Sequence, residues 1–282
     1  MNIVFGTVFY NQAFEYLGDF IDSLNNQSDK DFKVLIINDD IDKTKLDSLL
    51  LKAHFAYNVI QYEEKYSPAG LRIMLLIEAI KRKADILVIG DADDVFSSNR
   101  IEQIRHTATQ DTTCTFFYND IQTLSGEKVF PPLPDRVDDV KDIADYNFLG
   151  MSNTAIRTDR LDLQEVDSFF EGDQPIFDWY LYSRLLINGA TGRYVDGAPT
   201  YYRYHGNNLV GNQDMNESIV AKEIEVKIRH YKSLEKHSDL MKKRYREYVK
   251  GMYCRNDVHN PHFWWNYTYT NIAATPRGEQ MP

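Results

Sequence analysis

Three carboxylates fall within four residues at Asp91-Ala92-Asp93-Asp94, directly after the apolar run Ile86-Leu87-Val88-Ile89 and Gly90. Like charges this close repel, so they are expected only where a cation or hydrogen-bond donors compensate. Mg²⁺ or Mn²⁺ meets that need. Such an ion takes one or two protein carboxylates and completes its shell with water and phosphate oxygens. Asp91 and Asp93 are therefore the candidate metal ligands, and the ligand they suit is a nucleotide diphosphate. Arg72, on the helix opened by Ser67-Pro68, could reach the phosphates, and a solvent-facing or salt-bridged arginine is the alternative. For the acidic stretch the plainer alternative is a polar turn in which Asp93 or Asp94 caps the next helix.

These groups need elements to hold them. Apolar runs of strand length alternate with helical periods: Ile3 to Val8, a helix near Phe14 to Leu24, Val34 to Ile37, and a helix around Lys45 to Ala53. That alternation predicts βαβ units and a parallel sheet. Ser67 and Pro68 predict an N-cap and a first helical residue, with Leu71, Leu75, Ile77 and Ala79 facing the sheet and an end near Lys83. Ile86 to Ile89 then reads as a strand buried on both faces, and its carboxyl end is the edge where open α/β sheets bind ligands. Val8, Tyr10 and Asn11 end the first strand, and Asp39 ends the second, at that same edge.

The second half leaves strict alternation. Thr113 to Tyr118 predicts a strand, Ser125-Gly126 a hairpin, and Asp135 to Asp145 a solvated helix or loop. A helix is expected over Asp173 to Ile187, closed by Asn188-Gly189, and a last strand over Tyr201 to Tyr204. From about Glu217 to Tyr248 the apolar spacing predicts one long charged helix. The expected division is residues 1–212 as the α/β domain and 213–282 as a helical extension with an aromatic tail at Phe263-Trp264-Trp265 and Tyr267.

Composition narrows the function classes. A formal charge of −10 argues against nucleic acid, whose phosphates call for concentrated Lys and Arg. Cys114 and Cys254 have neither disulfide-framework nor zinc spacing. The first residues show no secretory pattern and no apolar run reaches bilayer length, so the expectation is a cytoplasmic setting, with peripheral contact to a membrane as its variant.

The motifs together resemble the family 2 glycosyltransferases of GT-A (Rossmann-like) fold. Tyr10-Asn11 after strand one, Asp39-Asp40 after strand two, Asp91-Ala92-Asp93 after a later strand, Phe177-Asp178-Trp179-Tyr180-Leu181 and Tyr202-Arg203-Tyr204-His205 follow that family's order. The resemblance implies a mixed, mostly parallel sheet flanked by helices. It also implies base and ribose binding by Val8, Tyr10, Asn11, Asp39, Asp91 and Ala92, with Tyr10 a stacking platform and Asp39 an acceptor for a base N–H. Further implications are Ser152, in Gly150-Met151-Ser152-Asn153, at the donor sugar, Arg203 on the diphosphate, and His205 as a third metal ligand. Asp178 becomes the general base of an inverting transfer, with Asp173 in reserve, although Phe177 stands where the family usually has Glu. The donor implied is a nucleotide-diphospho-sugar, UDP first and GDP or dTDP next. The acceptor is a glycan, lipid-linked or protein hydroxyl, in bacterial surface-glycan synthesis, and the C-terminal helix could pair two copies.

Two other readings use the same residues. A haloacid-dehalogenase-like phosphatase would take Asp91 as nucleophile, but its nucleophile strand normally comes near the chain start, whereas two βα units and a third helix precede Asp91. A nucleotide-sugar-binding protein that lost its base is the non-enzymatic reading.

Overall fold

The alternation of the first third folds as parallel βα units. β1 (Ile3–Tyr10) lies between β2 (Phe32–Asp39) and β4 (Ile86–Ile89), parallel to both, with Tyr10 opposite Asp39 and Gly6 opposite Ile89. The structure, a computed structural model, describes residues 1–170, 176–204 and 217–252. Its first helix is preceded by a 3-10 turn at Asn11–Tyr16 and runs as α1 (Leu17–Asn25). α2 (Lys43–Leu50) starts where the Asp42 carboxylate accepts from the backbone N–H groups of Thr44 and Lys45. α3 (Pro68–Lys81) starts with Ser67 as N-cap and Pro68 in the first turn, and Leu71, Leu75, Ile77 and Ala79 are all buried.

Several strands have no signal in the sequence, among them Thr154–Arg157 and Gly192–Tyr194, described below, and one at the sheet edge. β3 (Ala56–Ile60) pairs in parallel with β2 at the sheet edge, and four of its five residues are exposed. An edge strand with both faces largely wet needs no apolar run, so periodicity cannot find it.

Parallel order ends at β9 (Thr154–Arg157), which inserts antiparallel between β4 and β6 (Phe116–Tyr118). The main sheet has the order β3-β2-β1-β4-β9-β6-β10-β8, where β10 is Gly192–Tyr194 and β8 is Arg136–Val137. A small second sheet, β5-β11-β7, joins β5 (Val95–Phe96), β11 (Thr200–Tyr202) and β7 (Ile121–Thr123). The Ser125-Gly126 hairpin forms: Gly126 has φ 87°, and Gln122 bridges antiparallel to Lys128. The acidic stretch 135–145 holds β8 and a 3-10 turn at Val140–Asp142, closed by reciprocal capping between Asp139 and Asp142.

Helices cover both faces of the sheet. One buried cluster joins α1, α2 and α4 (Arg100–Gln110) to one face. The other joins α3, α5 (Leu163–Asp167) and α6 (Phe177–Ile187), together with residues of the C-terminal helices, to the opposite face. Gly189, with φ 86°, closes α6 as expected. The reserve base Asp173 lies outside the described residues. The single long helix expected at the C-terminus is two: α7 (Glu217–Leu234) and α8 (Asp239–Val249). Ser238 breaks the run by capping α8, its hydroxyl accepting from the Met241 N–H, which lets Tyr231, Leu234 and Met241 all bury on the body.

Gly90 links this packing to the site. A Cβ there would lie 2.5 Å from the Phe96 ring and 2.6 Å from the Phe5 ring. Gly90→Ala is expected to cost about 1–3 kcal/mol through overpacking, read as a lowered Tm, because two interlocked aromatic rings cannot both retreat.

Candidate functional site

The carboxyl ends of β1, β2 and β4 bring Tyr10, Asp39 and Asp91 to one edge of the sheet. At β2, the buried side chain of Asn38 accepts from the Ile41 N–H at 3.1 Å and donates to the Ile41 carbonyl at 2.9 Å. That clamp forces a tight turn, and Asp40 takes a left-handed φ of 65°. Asp39 is left half-buried, its pKa raised by burial and by Asp40 while Lys65 pulls the other way. Asn11 donates to the Asp40 carbonyl at 2.9 Å, tying the β1 and β2 ends together.

The loop after β4 turns its acids in different directions. Asp91 is half-buried and ion-paired with Arg72 at 2.9 Å, and its N–H donates to Ser152 Oγ at 3.2 Å. Burial opposes the Arg72 charge, but Asp91, and beyond it Asp178 and Tyr10, outweigh that and hold its pKa up. Ala92 is buried. Asp93 accepts from the Tyr10 hydroxyl at 3.1 Å, and the phenol's pKa is raised by burial and then by Asp93 and Asp91. Val8, half-buried two residues before Tyr10, packs against the cluster of the α3 face.

Asp94 points inward. It is buried, its carboxylate accepts from the Arg203 N–H at 3.1 Å, and burial, with Asp93 and Asp91, pushes its pKa well above the carboxylate range. Below the loop Arg100 is wholly buried, donating to the Ile89 carbonyl at 2.9 Å and lying 4.6 Å over the Phe96 ring; burial lowers its pKa to about 9. The helix-capping alternative for Asp93 and Asp94 is thereby corrected. α4 begins six residues beyond Asp94, after Asn99, and Asp94 serves the loop interior instead.

Arg203 braces the same loop from outside. Its Nε donates to the Asp93 carbonyl at 2.9 Å, its Nη2 to Asp19 at 2.6 Å, and its guanidinium lies 4.6 Å over the Tyr16 ring. His205 lies outside the described residues.

Asp178, the second residue of α6, comes to this cluster from a helix packed over β9 and β6. It is half-buried and accepts from the Trp179 N–H at 2.6 Å and from Asn147 Nδ2 at 3.3 Å. Burial raises its pKa to about 6; Arg72 and the Trp179 amide pull it down, and Asp91 pushes it up. A helix N-terminus favours a carboxylate. Here burial wins over that dipole. Phe177, at the position of the family's usual Glu, is buried in the core.

The structure thus brings together Tyr10, Arg72, Asp91, Asp93, Ser152 and Asp178, with Asn11 and Asp39 at the adjoining strand end and Arg203 behind the loop. Asn147 and Arg100 escaped the sequence reading, and Asn153 stood in the Gly150-Met151-Ser152-Asn153 stretch with no role of its own. Asn153 is fully buried, donates to the carbonyls of Asn119 and Phe148, and accepts from the Gly150 N–H, so it shapes the turn that presents Ser152. Two asparagines in an aperiodic stretch with Gly150 were the only available hint.

Asp91 and Asp93 suit a hard divalent cation as a two-carboxylate donor set whose remaining ligands would be diphosphate oxygens and water. Among the described residues no three His, Cys, Asp or Glu side chains converge as a complete protein cage.

Residues 5–129 match the family described as Glycosyl transferase family 2. That segment holds Tyr10, Asp39, Arg72, Asp91 and Asp93 in the order of the motifs; Ser152, Asp178 and Arg203 lie beyond it. No curated protein matches the sequence. Among solved structures, S. aureus TarS 1-349 in complex with UDP-GlcNAc aligns at TM-score 0.60 with 14% identity, over 98% of this chain and 77% of that one. The mannosyltransferase PcManGT from Pyrobaculum calidifontis, in complex with GDP-Man and Mn²⁺, aligns at TM-score 0.57 with 11% identity, over 99% and 76%. A longer S. aureus TarS chain aligns at TM-score 0.55 with 16% identity, and this chain spans 44% of it. The fold is that of the GT-A glycosyltransferases. Among the described residues no helix is long and apolar enough to cross a membrane.

Proposed function

We propose that the protein is an inverting glycosyltransferase that moves a sugar from a nucleotide-diphospho-sugar to a hydroxyl acceptor, with Asp178 as general base. The observation that carries this reading is the convergence of Asp178 with the Asp91–Arg72 pair at the ligand edge of the sheet, its pKa raised by burial to about 6. A base works best when its pKa lies near the operating pH. Asp178 takes the acceptor hydroxyl proton as that oxygen bonds to the anomeric carbon, and the sugar–phosphate bond breaks with its electron pair leaving on the diphosphate. Arg72 is placed to bind the diphosphate once donor oxygens compete for it with Asp91. Asp39 and Tyr10 are placed to hold the nucleoside at the ends of β2 and β1, and Ser152 to border the donor sugar. Asp91 and Asp93 would hold Mn²⁺ or Mg²⁺, which when bound offsets diphosphate charge.

The rate should follow the carboxylate of Asp178. A folded pKa of about 6 means activity lost as pH falls through about 6 and level above it. A kcat–pH profile with no acidic limb between about 5 and 7 would remove Asp178 from this role. Donor identity is read by a thermal-shift screen of UDP-, GDP-, CMP- and dTDP-sugars with and without Mn²⁺, since a ligand of the native state raises stability with occupancy. UDP-sugars are expected to shift Tm most. Stabilisation by a donor without turnover on any glycan, lipid-linked or protein hydroxyl would favour a binding protein instead.

The proposed setting is bacterial surface-glycan assembly, with peripheral membrane contact through α8. Residues 217–252 carry ten Lys and Arg against six Asp and Glu, whereas residues 1–216 carry twenty against thirty-four. Lys242, Lys243 and Arg246 on α8 and Lys250 at its C-cap are exposed, beside Val249 and Met252, which are 57% and 66% exposed. Such a face suits anionic headgroups. Co-sedimentation with anionic but not zwitterionic vesicles, abolished by Lys242→Glu with Lys243→Glu, is the expected result. Equal recovery with both vesicle types would refute it.

A further inference from the structure

The bend at residues 143–145 belongs to no strand or helix, so its backbone carbonyls need donors from elsewhere. All three have one. Trp179 Nε1 donates to the Ile143 carbonyl at 2.7 Å, the Tyr231 hydroxyl to the Ala144 carbonyl at 3.0 Å, and Lys227 Nζ to the Asp145 carbonyl at 2.9 Å. The Asp145 carboxylate is held by Arg244 at 2.7 Å and 2.8 Å. Tyr231 and Lys227 are on α7 and Arg244 is on α8. The C-terminal helices therefore grip a bend more than eighty residues away.

What the bend leads to gives the grip its meaning. Two residues on, Asn147 folds its amide over Leu149, accepting from that residue's N–H at 3.0 Å and donating to its carbonyl at 3.1 Å, and the same Nδ2 reaches Asp178 Oδ1 at 3.3 Å. The Trp179 that bonds the bend is the next residue along the chain from Asp178. His230 of α7 stacks on the Trp179 ring at 3.8 Å and 14°. His230 is fully buried, neither ring nitrogen has a hydrogen-bond partner among the described residues, and burial, with Lys227, lowers its pKa to about 3. It is a neutral flat wedge, and it limits rotation of the Trp179 indole. Asp178 is thus approached by two routes that both start on α7: one through the bend and Asn147, the other through Trp179.

We propose that Asn147 is the positioning residue of the Asp178 carboxylate, and that α7 and α8 act on the reaction through it by holding the bend at 143–145. This rests on Asp178 being the base. The Asn147 donor leaves Asp178 Oδ2 facing Gly150, where a Cβ on that glycine would lie 3.8 Å from it. One carboxylate oxygen is held by amides and the other is directed at the turn that carries Ser152. A misplacement of the base slows the chemical step more than it weakens donor binding, since the donor is held by other residues.

The test is initial-rate kinetics with donor-induced thermal shift on Asn147→Ala, Tyr231→Phe and Lys227→Met, with Leu234→Ala as a control that loosens α7 packing without touching the bend. The expected result is kcat lowered on the order of tenfold in Asn147→Ala, and by about three- to tenfold in Tyr231→Phe and Lys227→Met, with donor KM and donor-induced shift within about twofold. Leu234→Ala is expected to lower Tm and, assayed well below its melting, to keep kcat. Unchanged kcat in Asn147→Ala overturns the proposal, as does a loss of kcat in Leu234→Ala equal to that in Tyr231→Phe. Asp178→Asn separates the two levels. An active Asp178→Asn protein removes the base reading itself, whereas an inactive one beside a fully active Asn147→Ala protein removes only this inference.

Discussion

Asp178→Asn is expected to lose about 100- to 10,000-fold in kcat while its Tm stays level or rises. The two halves of that result come from one physical cause. Burial raises the Asp178 pKa from 3.8 to about 6, so at neutral pH the fold holds a carboxylate in a site that favours its protonated form. For an acid whose folded pKa lies above its unfolded value, the folded state binds the extra proton between the two. Stability therefore falls as pH rises from about 4 to about 6, and above that the full penalty is present. Two pK units correspond to at most about 3 kcal/mol, and solvent reaching the partly exposed side chain leaves about 1–2 kcal/mol of this. An amide has no charge to desolvate, and its oxygen can still accept from Trp179 and Asn147. The gain expected in a chain of this size is a few degrees, on the order of 2–4 °C per kcal/mol. Kinetics and melting curves at about 1.5 pH units above and about 1 below that pKa test both halves: the stability advantage of the variant should shrink at the lower pH. A variant that is both inactive and less stable at neutral pH would show Asp178 to be a structural acid.

Asp93→Asn is expected to abolish metal-dependent donor binding with little change in the free protein. The substitution keeps an oxygen for the Tyr10 hydroxyl, which donates at 3.1 Å, and removes only the charge that a divalent ion would use. At a donor concentration near 100 Kd, ligand binding stabilises by about 2.7 kcal/mol, and a hundredfold loss of affinity leaves about 0.4 kcal/mol. The donor-induced shift in Tm should therefore nearly vanish. Chelation with EDTA should reproduce that loss in the wild type and add nothing in the variant. Asp91→Asn is the less clean partner experiment, because it also removes the ion pair that orients Arg72. A wild-type donor shift unaffected by EDTA would remove the metal from the proposal while leaving Asp178 in place.

The chain order of apolar runs was enough to predict where β1, β2 and β4 end, and with them the placement of Tyr10, Asp39 and Asp91 at one sheet edge. That follows because the period of a strand and the capping chemistry of Ser67-Pro68 are local, and a parallel sheet has only one ligand edge. β3 was missed for an equally local reason, being an exposed edge with no apolar run. The C-terminal break at Ser238 was missed because helical spacing continues through it.

What only the tertiary structure decided lies across long separations. Asn147 meets Asp178 over 31 positions, Lys227 meets the Asp145 carbonyl over 82, and the Arg203 N–H meets Asp94 over 109. No pattern in a window of residues encodes such pairs. The sequence alone assigned three carboxylates to one loop. Only the fold sends Asp94 inward, pairs Asp91 with Arg72 and leaves Asp93 beside Tyr10, because burial and the nearness of other charges, which set a carboxylate's pKa, are properties of the packed chain. The residue types of the site were local information; their protonation and aim were not.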